Sequence, residues 1–405
     1  MEIQEQFIHL EDFNNLEFMK VLMINVVCGI RSTGRICTDL ATALEAQGHE
    51  VKIAYGRENV PEQFQKYAVR IGSDLDVKFH GVKSRLLDGA GFGSKKATGK
   101  FIEWVKEYDP DVIHLHNIHG YYINVEVLFN YLKVCGKKII WTLHDCWAFT
   151  GHCVYFDYVG CDEWKTGCEH CPQKSEYPAR IGPDMSRNNY VKKRELFTGI
   201  SNMTLVTPSQ WLADLISESY MKDYLTKVIH NGVDTDVFKP TESNVKEKYN
   251  CQGKKIVLGV AAVWDKRKGL NSFVELSKLL DDSYKIILVG LSKEQIEKLP
   301  KNIIGIERTN SVKELAELYT AADVFVNPTL EDNYPTTNLE AIACGTPVVT
   351  FDTGGSPESA EMYGVSVPKK DIDGLVTTIE KVRIITKRTT DIDYKNTVQK
   401  YIKLY

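Results

Sequence analysis

The sequence predicts an α/β protein built from two doubly wound, Rossmann-like domains that face each other across a cleft. The chain has 405 residues, more than one hydrophobic core usually serves, and 43% of them are hydrophobic. Short apolar runs alternate with helical stretches, and runs that are apolar on both faces are typical of parallel sheets covered by helices. Ten such runs predict strands: KVLMINVV, EVKIAY, DVIHLH, KIIWTLH, MTLVTP, KIVLGVAAV, YKIILVG, NIIGI, DVFVNP and TPVVTF.

The predicted strands divide into two sets at residues 231–250, NGVDTDVFKPTESNVKEKYN, which are polar and rich in turn residues. We therefore expect a first domain over residues 19–240 and a second domain over residues 241–385. Residues 386–405 predict a C-terminal helix that packs on either domain. The first buried-strand run begins just after residues 1–18, which we interpret as an extension outside the fold.

The charge balance gives no reason to expect nucleic acid as a partner. Fifty Lys and Arg residues stand against 54 Asp and Glu residues, for a net charge of −4, so any anion must be bound locally. No apolar run approaches the roughly 18 to 20 residues that span a bilayer. The N-terminus is acidic, whereas a secretory signal is basic and then apolar. These features predict a cytoplasmic protein.

Two carboxylates eight residues apart follow the strand DVFVNP. Pro335 suits the first turn of a helix, which places Asp332 in the preceding loop and Glu340 inside the helix. In doubly wound sheets ligands bind at the carboxyl ends of strands, so the two carboxylates are placed to bracket one ligand. A purely structural interpretation is also open, in which Asp332 or Asn333 caps the helix and Thr337 forms a capping box with Glu340.

Three cations follow the first strand of the second domain. The stretch GVAAVWDKRKGL places Lys266, Arg267 and Lys268 at the carboxyl end of this strand. Cations at this position are suited to hold a diphosphate. A solvated basic loop explains three isolated charges as well, so the cluster alone does not decide between the two interpretations.

Two glycine turns stand where backbone N–H groups can face phosphates. Gly354 and Gly355 in FDTGGSPE follow another predicted strand. Gly29 and Gly34 in CGIRSTGRI lie between the first strand and the first helix, although their spacing is not that of a GxGxxG fingerprint. A turn before a helix explains these glycines too.

Taken together, ordered motifs from residue 19 onward resemble one known family. The motifs are QGHEVKIAYGR, DVIHLHN, TLHD, VTPSQWLADL, IHNGVDTDVFKP, RKGL, ELYTAADVFVNPT, LEAIACGTPVVT and TGGSPE. Their order is that of the retaining, two-domain GT-B glycosyltransferases of family 4. WTLHDCWAFTGHC with the later CPQ, and PTLEDNYPTTNLEA, are most similar to bacterial capsule or colanic-acid-type exopolysaccharide transferases.

The resemblance assigns roles to the spaced carboxylates. In this family the first carboxylate of a Glu-x7-Glu pattern contacts the donor sugar, and the second hydrogen-bonds the nucleotide ribose. Asp332 and Glu340 occupy those two positions here. The first member is Asp instead of Glu, and Glu331 stands beside it, so either Asp332 or Glu331 is expected to reach the sugar.

The resemblance also assigns the diphosphate contacts. The family uses an Arg and a Lys, with the Lys directly before a Gly, and Lys268 matches this Lys. Ala262 and Val263 stand where the Arg is expected. The sequence therefore predicts that Arg267 or Lys266 compensates, or that one contact to the diphosphate is lost.

Histidines mark the side of the first domain that meets the acceptor. His144 ends the strand KIIWTLH at the position where the family has a histidine in contact with the transferred sugar. A structural hydrogen-bonding role is the alternative for His144, and a structural or substrate contact is expected for His114, His116 and His119. Residues 83–101 are basic, rich in glycine and dotted with Leu and Phe, which predicts a mobile surface loop or a contact with the acceptor or an anionic lipid surface.

The implied reaction moves a sugar from a UDP- or GDP-sugar to a glycan or lipid-linked oligosaccharide acceptor, with retention of configuration. The resemblance implies a metal-independent displacement in which the leaving phosphate deprotonates the acceptor hydroxyl, so no catalytic metal is expected. Nucleotide sugar and acceptor are then the partners, with a peripheral contact to the inner membrane face. Alternatives of the same fold are a nucleotide-sugar-binding protein without activity, an epimerase and a phosphorylase, the last of which requires a lysine-bound pyridoxal phosphate.

Five of the ten cysteines lie within 26 residues, from Cys146 onward. The pair Cys168-x2-Cys171 has the spacing of two zinc ligands, and Cys153 and Cys161 can complete a tetrahedral set. Free thiols packed in a loop are the equally open alternative. A structural zinc would stabilise a long, coil-rich insertion after the His144 strand.

Overall fold

The structure is a computed structural model that describes residues 17–382 and 392–405. Residues 1–16, which make up most of the predicted N-terminal extension, lie outside the described residues. The same holds for residues 383–391, which include the predicted boundary after residue 385 and the start of the C-terminal segment. No helix in the described part of the chain is both long enough and apolar enough to cross a membrane.

The first domain is a parallel sheet flanked by helices on both faces. Within the described residues it has seven strands in the order β3-β2-β1-β4-β5-β6-β7. The strands are β1 (Lys20–Ile24), β2 (Glu50–Tyr55), β3 (Ala68–Arg70), β4 (Val112–Leu115), β5 (Lys138–Thr142), β6 (Met203–Thr207) and β7 (Thr226–Val228). The helices are α1 (Arg31–Ala46), α2 (Asp74–Leu87), α3 (Lys95–Tyr108), α4 (Val125–Leu132), α5 (Ser186–Phe197) and α6 (Gln210–Glu218).

The second domain repeats this plan with six strands among the described residues, in the order β10-β9-β8-β11-β12-β13. The strands are β8 (Lys255–Val260), β9 (Tyr284–Val289), β10 (Ile303–Ile306), β11 (Val324–Asn327), β12 (Val348–Phe351) and β13 (Gly364–Val367). The helices are α7 (Val245–Lys248), α8 (Leu270–Leu279), α9 (Lys293–Glu297), α10 (Val312–Ala321), α11 (Thr336–Ala343), α12 (Ser356–Ala360) and α13 (Ile372–Lys381).

The structure confirms the predicted fold class and all ten predicted strands. Apolar residues on both faces explain why the strands could be identified. In β1, Leu22 and Ile24 join the core on one face of the sheet, and Val21 and Met23 join the core on the other. Each face therefore buries a layer of helices, as parallel sheets require.

The C-terminal helix α14 (Tyr394–Ile402) packs against α1 of the first domain. Tyr401 and Ile402 are buried in the same core as β1. The hydroxyl of Tyr405 lies 2.6 Å from Nδ1 of His114, and Lys138 Nζ donates to the Tyr405 carbonyl at 2.9 Å. Residues 394–405 therefore pack on the first domain, although they follow the second domain in the chain.

A long insertion, residues 143–185, separates β5 from α5 and contains no strand. Its aromatic side chains Trp147 and Trp164 are buried in the core of the first domain. Lys193 of α5 anchors the insertion, because its buried Nζ donates to the carbonyls of Trp147 at 2.8 Å and Thr150 at 3.0 Å. The segment is thus packed by its own side chains, despite its lack of regular structure.

Candidate active site

Lys268 and Asp332 meet at the carboxyl edge of the second sheet. Strands β8 and β11 are neighbours in this sheet, so the loops that follow them lie side by side. The loop after β8 is a tight turn in which the Asp265 carboxylate accepts from the backbone N–H groups of Arg267 and Lys268, at 2.9 and 3.1 Å. Nζ of Lys268 lies 2.5 Å from Oδ2 of Asp332. Lys268 and Asp332 therefore put a cation and a carboxylate side by side at the carboxyl edge of the second sheet.

Arg267 lies on the same turn, and its guanidinium pairs with Oδ2 of Asp265 at 3.1 Å. The guanidinium carbon is 5.6 Å from the centre of the Tyr155 ring, which belongs to the insertion of the first domain. The Arg267 side chain is half-buried, whereas Lys266 is exposed. Of the two residues that could compensate for the missing family arginine, Arg267 is therefore the one that faces the other domain.

The Glu331 side chain contacts the insertion of the first domain. Its Oε1 accepts from the backbone N–H of Tyr158 at 2.7 Å, and the residue is only 2% exposed. Burial raises the pKa of this carboxyl, although the Tyr158 hydrogen bond opposes the rise. Glu331 therefore ties the second domain to the insertion, while Asp332 is the carboxylate beside the candidate diphosphate cation.

Asn333 bridges the two domains at the cleft. Its Nδ2 donates to the carbonyl of His144 at 3.0 Å, and its Oδ1 accepts from the Ser209 hydroxyl at 2.5 Å. Helix α11 begins after Pro335 without a side-chain cap, so neither Asp332 nor Asn333 caps this helix. The helix-cap interpretation of this stretch is wrong.

Glu340 is buried in α11, with its Oε2 accepting from the Tyr319 hydroxyl at 2.9 Å. No capping box with Thr337 is formed at this helix end. Burial raises the pKa of Glu340 to about 7, and the Tyr319 hydrogen bond and the charge of Arg35 oppose this rise. Arg35 belongs to α1 of the first domain, whereas Glu340 belongs to the second domain. The charge of Arg35 therefore acts on Glu340 across the cleft.

The Gly354–Gly355 turn lies directly against the loop that carries Asp332. A Cβ atom on Gly354 would lie 1.9 Å from the Asp332 carbonyl oxygen, and one on Gly355 would lie 1.9 Å from the Asn333 carbonyl oxygen. The N–H of Gly355 donates to the Asp332 carbonyl at 3.3 Å, so it is not free for a phosphate as predicted. Glycine is required here because the two loops touch through their backbones.

Gly29 and Gly34 form the predicted turn between β1 and α1. Gly29 has a φ of +73°, and its N–H donates to the Gly34 carbonyl at 3.1 Å. Helix α1 begins two residues after Gly29, and no side chain caps its N-terminus. The Gly29 N–H is therefore already engaged within the turn, and contact of the other N–H groups of this turn with a phosphate stays a prediction.

The histidines form two groups. His114, His116 and His144 lie in a row, and His119 pairs with Asp145 at the cleft. Nε2 of His144 lies 3.1 Å from Nδ1 of His116, and burial lowers the pKa of His144 to about 4, so that it is neutral at pH 7. His114 is fully buried and bonded to Thr142, which fits its predicted structural role. His119 instead pairs with the carboxylate of Asp145, at 2.8 Å between Nε2 and Oδ2.

The structure brings the predicted cysteine ligands together around one small cavity of the insertion: Cys153, Cys161, Cys168 and Cys171. It does not arrange them as the predicted ligand set. Within the described residues, no group of three or more His, Cys, Asp and Glu side chains could hold a metal ion. Sγ of Cys168 accepts from the Gly151 N–H at 3.1 Å. Zinc binding by these cysteines stays a prediction, which metal analysis of the purified protein tests.

Sequence reasoning missed three residues that act between the domains, two through hydrogen bonds and one through its charge. Ser209 caps α6 by accepting from the Leu212 N–H at 3.1 Å, and it also donates to Asn333. Both carboxylate oxygens of Glu358 accept from the first N–H groups of α6, at 2.7 Å each. Arg35 is the third. Glu358 ends the TGGSPE motif, but its partner in the other domain could not be inferred from the sequence.

Two parallel α/β domains, with a lysine and two carboxylates at the edge of the second sheet, define a GT-B type protein. The chain belongs to glycosyltransferase family 4. The family profile described as "Glycosyltransferase Family 4" matches residues 33–237, and the profile described as "Glycosyl transferases group 1" matches residues 254–383. Together these two matches cover both domains.

Two relatives illustrate the range of similar sequences. The "Putative colanic acid biosynthesis glycosyl transferase WcaC" of Escherichia coli K12 is 26% identical over 362 residues, which are 85% of this chain and 86% of that protein. The "N,N'-diacetylbacillosaminyl-diphospho-undecaprenol alpha-1,3-N-acetylgalactosaminyltransferase" of Campylobacter jejuni is 29% identical over 199 residues, which are 43% of this chain and 52% of that protein.

Solved structures share the fold across both domains. Sucrose-phosphate synthase from Thermosynechococcus elongatus has a TM-score of 0.67 at 16% identity, and covers 96% of this chain and 98% of its own. Anabaena Alr3699/HepE in complex with UDP has a TM-score of 0.64 at 16% identity, and covers 95% of this chain and 99% of its own. At these identities the likeness shows the GT-B fold alone.

Proposed function

We propose that this glycosyltransferase moves a hexose from a UDP- or GDP-sugar to a glycan or lipid-linked oligosaccharide, with retention of configuration, in exopolysaccharide or capsule biosynthesis. The observation that carries this proposal is the pairing of Lys268 with Asp332 at the edge of the second sheet, with Glu340 inside the helix that follows. A cation for the diphosphate and carboxylates for the sugar and the ribose are the groups that a nucleotide sugar needs.

Glu340 is proposed to hold the ribose. One of its oxygens accepts from Tyr319, and an ionised carboxylate has further lone pairs for hydroxyl donors. Bonds from hydroxyls to a charged carboxylate are stronger than bonds between neutral groups. HepE was solved with UDP and with UDP-glucose, and we include a uridine donor among the candidates for this chain.

Lys268 and Arg267 are proposed to stabilise the leaving group. When the bond between the anomeric carbon and the diphosphate oxygen breaks, its electron pair goes to that oxygen, and the sugar gains oxocarbenium character. Cations fixed beside the oxygen stabilise this charge because they need no reorganisation during the reaction. Asp332 holds Lys268 at 2.5 Å, and we propose that the same carboxylate accepts a hydroxyl of the sugar.

Retention follows if the acceptor hydroxyl attacks from the face that the diphosphate leaves. In this step the leaving phosphate oxygen takes the acceptor proton, so no side chain has to act as the base. The His119–Asp145 pair and the backbone of His144 border the first-domain side of the cleft, where we place the acceptor. We assign the reaction to the cytoplasm, at the inner face of the membrane.

Release of nucleotide tests this function against its alternatives. Purified protein is incubated with UDP- and GDP-sugars and with lipid extract as acceptor, and free nucleoside diphosphate and labelled glycan are measured. Formation of both products, lost in Lys268→Ala, supports the transferase. A non-catalytic binding protein releases no nucleotide, an epimerase changes the sugar without releasing it, and a phosphorylase requires phosphate. The anomeric proton coupling of the product compared with that of the donor decides retention.

A further inference from the structure

The insertion of the first domain reaches the second domain through one short segment. We call residues 155–158 the clasp, because three of its four residues contact the second domain. One contact is an aromatic ring beside a guanidinium, one is an ion pair, and one is a hydrogen bond from the backbone. The three contacts are Tyr155 with Arg267 at 5.6 Å, Asp157 with Lys369 at 3.0 Å and Tyr158 with Glu331 at 2.7 Å.

Two partners of the clasp stand directly beside the candidate site. Arg267 precedes Lys268 in the turn after β8, and Glu331 precedes Asp332 in the loop after β11. Consecutive Cα atoms are only about 3.8 Å apart, so a contact at one residue restricts the backbone of the next. The clasp therefore holds the two loops that carry the cation and the carboxylate of the site.

The Arg267 guanidinium is held by a carboxylate of its own turn and by an aromatic ring of the clasp. Its Nε and Nη2 donate to Oδ2 of Asp265, at 3.2 and 3.1 Å. The guanidinium carbon lies 5.6 Å from the centre of the Tyr155 ring, within the range of a cation–π contact. Asp265 uses two of the five N–H donors of an arginine, which leaves up to three for an anion. A cavity of about 830 Å³ borders Arg267, so a ligand has room beside this side chain.

Tyr155 is itself fixed by the first domain. Its carbonyl accepts from Nε2 of Gln173, and its hydroxyl donates to the carbonyl of His144 at 3.4 Å. The residue is half-buried. A long side chain such as that of Arg267 loses conformational entropy when it is ordered, so a fixed partner is needed to hold it in one place. The first domain thus supplies a fixed surface for a cation of the second domain.

We propose that Tyr155 is a positioning residue, which holds Arg267 in contact with the donor diphosphate and so compensates for the arginine that is missing at residues 262–263. This inference rests on the proposed function. Because the ring belongs to the first domain and the cation to the second, Arg267 is held in this way only when the two domains are closed. Stabilisation of the leaving group is then coupled to domain closure, and the insertion acts in the reaction through this contact.

Steady-state kinetics of full-length variants, with the UDP- or GDP-sugar that supports nucleotide release, test the inference. Tyr155→Leu and Tyr155→Met both remove the ring, and each should lower kcat about tenfold, because a cation–π attraction is of this order. Tyr155→Phe should retain kcat within about twofold, since a phenylalanine ring also attracts a guanidinium. Arg267→Ala alone should lower kcat by about 10² to 10³. In this background, removal of the ring should lower kcat by less than about twofold more, because the ring has no cation left to hold.

The matched control is Tyr284→Leu, which removes another half-buried tyrosine ring beside a cation, 4.8 Å from Nζ of Lys255 at the start of β9. This control should have the kcat of the unchanged protein. Circular dichroism establishes that each variant is folded. Unchanged kcat in folded Tyr155→Leu or Tyr155→Met overturns the inference. So does an equal loss in Tyr155→Phe, or an equal loss from removal of the ring with and without Arg267.

Calorimetry with UDP and GDP on the same samples separates this inference from the proposed function. If the unchanged protein releases no nucleotide from any donor, the proposed function fails. The Kd values of the single and double variants then decide the inference. A loss of affinity in Tyr155→Leu that disappears in the Arg267→Ala background supports the positioning role, and independent losses overturn it. Binding of neither nucleotide contradicts both the inference and the proposed function.

Discussion

The Nζ atom of Lys268 lies 2.5 Å from Oδ2 of Asp332, although 64 residues separate them in the chain. The two residues follow strands β8 and β11, which are adjacent in the second sheet. Asp332 is 16% exposed and Lys268 27%, so the pair is partly shielded from water but reachable by a ligand. A cation held in this way is fixed before the donor arrives, which is the condition for strong stabilisation of a leaving group.

Replacement of Lys268 should therefore act mainly on the chemical step. We expect Lys268→Ala to lower kcat by about 10² to 10³, the usual effect of removing one fixed contact to a developing charge. Lys266→Ala is the control, because this lysine is exposed on the same turn. Steady-state kinetics with saturating donor measure both variants. A change confined to KM would instead make Lys268 a binding residue and direct the same test to Arg267.

Glu340 should make donor binding depend on pH. Its pKa is raised to about 7 by burial, so a large share of it is protonated in the empty protein near neutrality. Only the ionised form accepts from both hydroxyls of a ribose without a competing O–H. We expect the Kd for the nucleoside diphosphate to fall as pH rises from about 6 to 8. Calorimetry on Glu340→Gln gives the reference. In this variant the phosphate of the ligand still titrates, whereas residue 340 does not.

The same group should affect stability with the opposite trend. Its folded pKa lies above the ordinary value of 4.5, so its contribution to stability is fully present below pH 4.5 and is lost as pH rises through about 7. Glu340→Gln cannot ionise, and it should gain stability relative to the unchanged protein between these limits, by up to about 3 kcal/mol. Denaturant unfolding at several pH values measures this difference. A difference that stays constant with pH would show that folding does not raise the pKa of Glu340.

The sequence predicted the sheets because buried parallel strands are apolar on both faces. Three strands were missed: β3, β7 and β13. They are three or four residues long, lie at the edges of the two sheets and keep mostly half-buried or exposed side chains, as in the AVR of β3. Such short edge strands lack the apolar run on which the other ten predictions depend.

The candidate site was predictable within one domain but not between domains. Lys268 and Asp332 could be placed together because neighbouring strands end at the same edge of a sheet. The bond from Asn333 to the His144 carbonyl and the bond from Tyr158 to Glu331 depend on how the two domains face each other. No local pattern encodes that relation, so the roles of these residues emerged only from the structure.

Glu358 should hold the two domains closed. Both of its oxygens accept from the N-terminus of α6 in the first domain, where an anion is stabilised by free N–H groups and the helix dipole. Glu358→Ala removes charge-assisted bonds worth about 1.5 to 3 kcal/mol each. We expect the closed form to be disfavoured at least about tenfold, with a larger radius of gyration by solution scattering and a higher donor KM.

Glu297→Ala serves as the control for Glu358→Ala, since Glu297 is exposed on α9, which belongs to the second domain. Its scattering curve and its KM should match those of the unchanged protein. If Glu358→Ala also matches, these bonds do not contribute to domain closure. Then the contacts of Asn333 with Ser209 and His144 are the next to remove.

Gly355 should be intolerant of even a methyl group. Its φ of −90° suits any residue, so alanine there causes no backbone strain. A Cβ atom would nevertheless lie 1.9 Å from the Asn333 carbonyl oxygen and 2.7 Å from the Cβ of Ser209 in the other domain. The loop that carries Asp332 must then shift. We expect Gly355→Ala to lower kcat at least about a hundredfold, because displacements near 1 Å have effects of this size.

Gly99→Ala is the matched substitution, because a Cβ on Gly99 meets nothing within 4 Å and the residue lies inside α3. Alanine there should stabilise the protein by about 0.5 to 1 kcal/mol and leave kcat unchanged. For Gly355→Ala, circular dichroism establishes that the protein is folded before its activity is interpreted. A folded Gly355→Ala protein with unchanged kcat would show that the two loops are not in the close contact that the structure describes, and that the position of Asp332 does not depend on them.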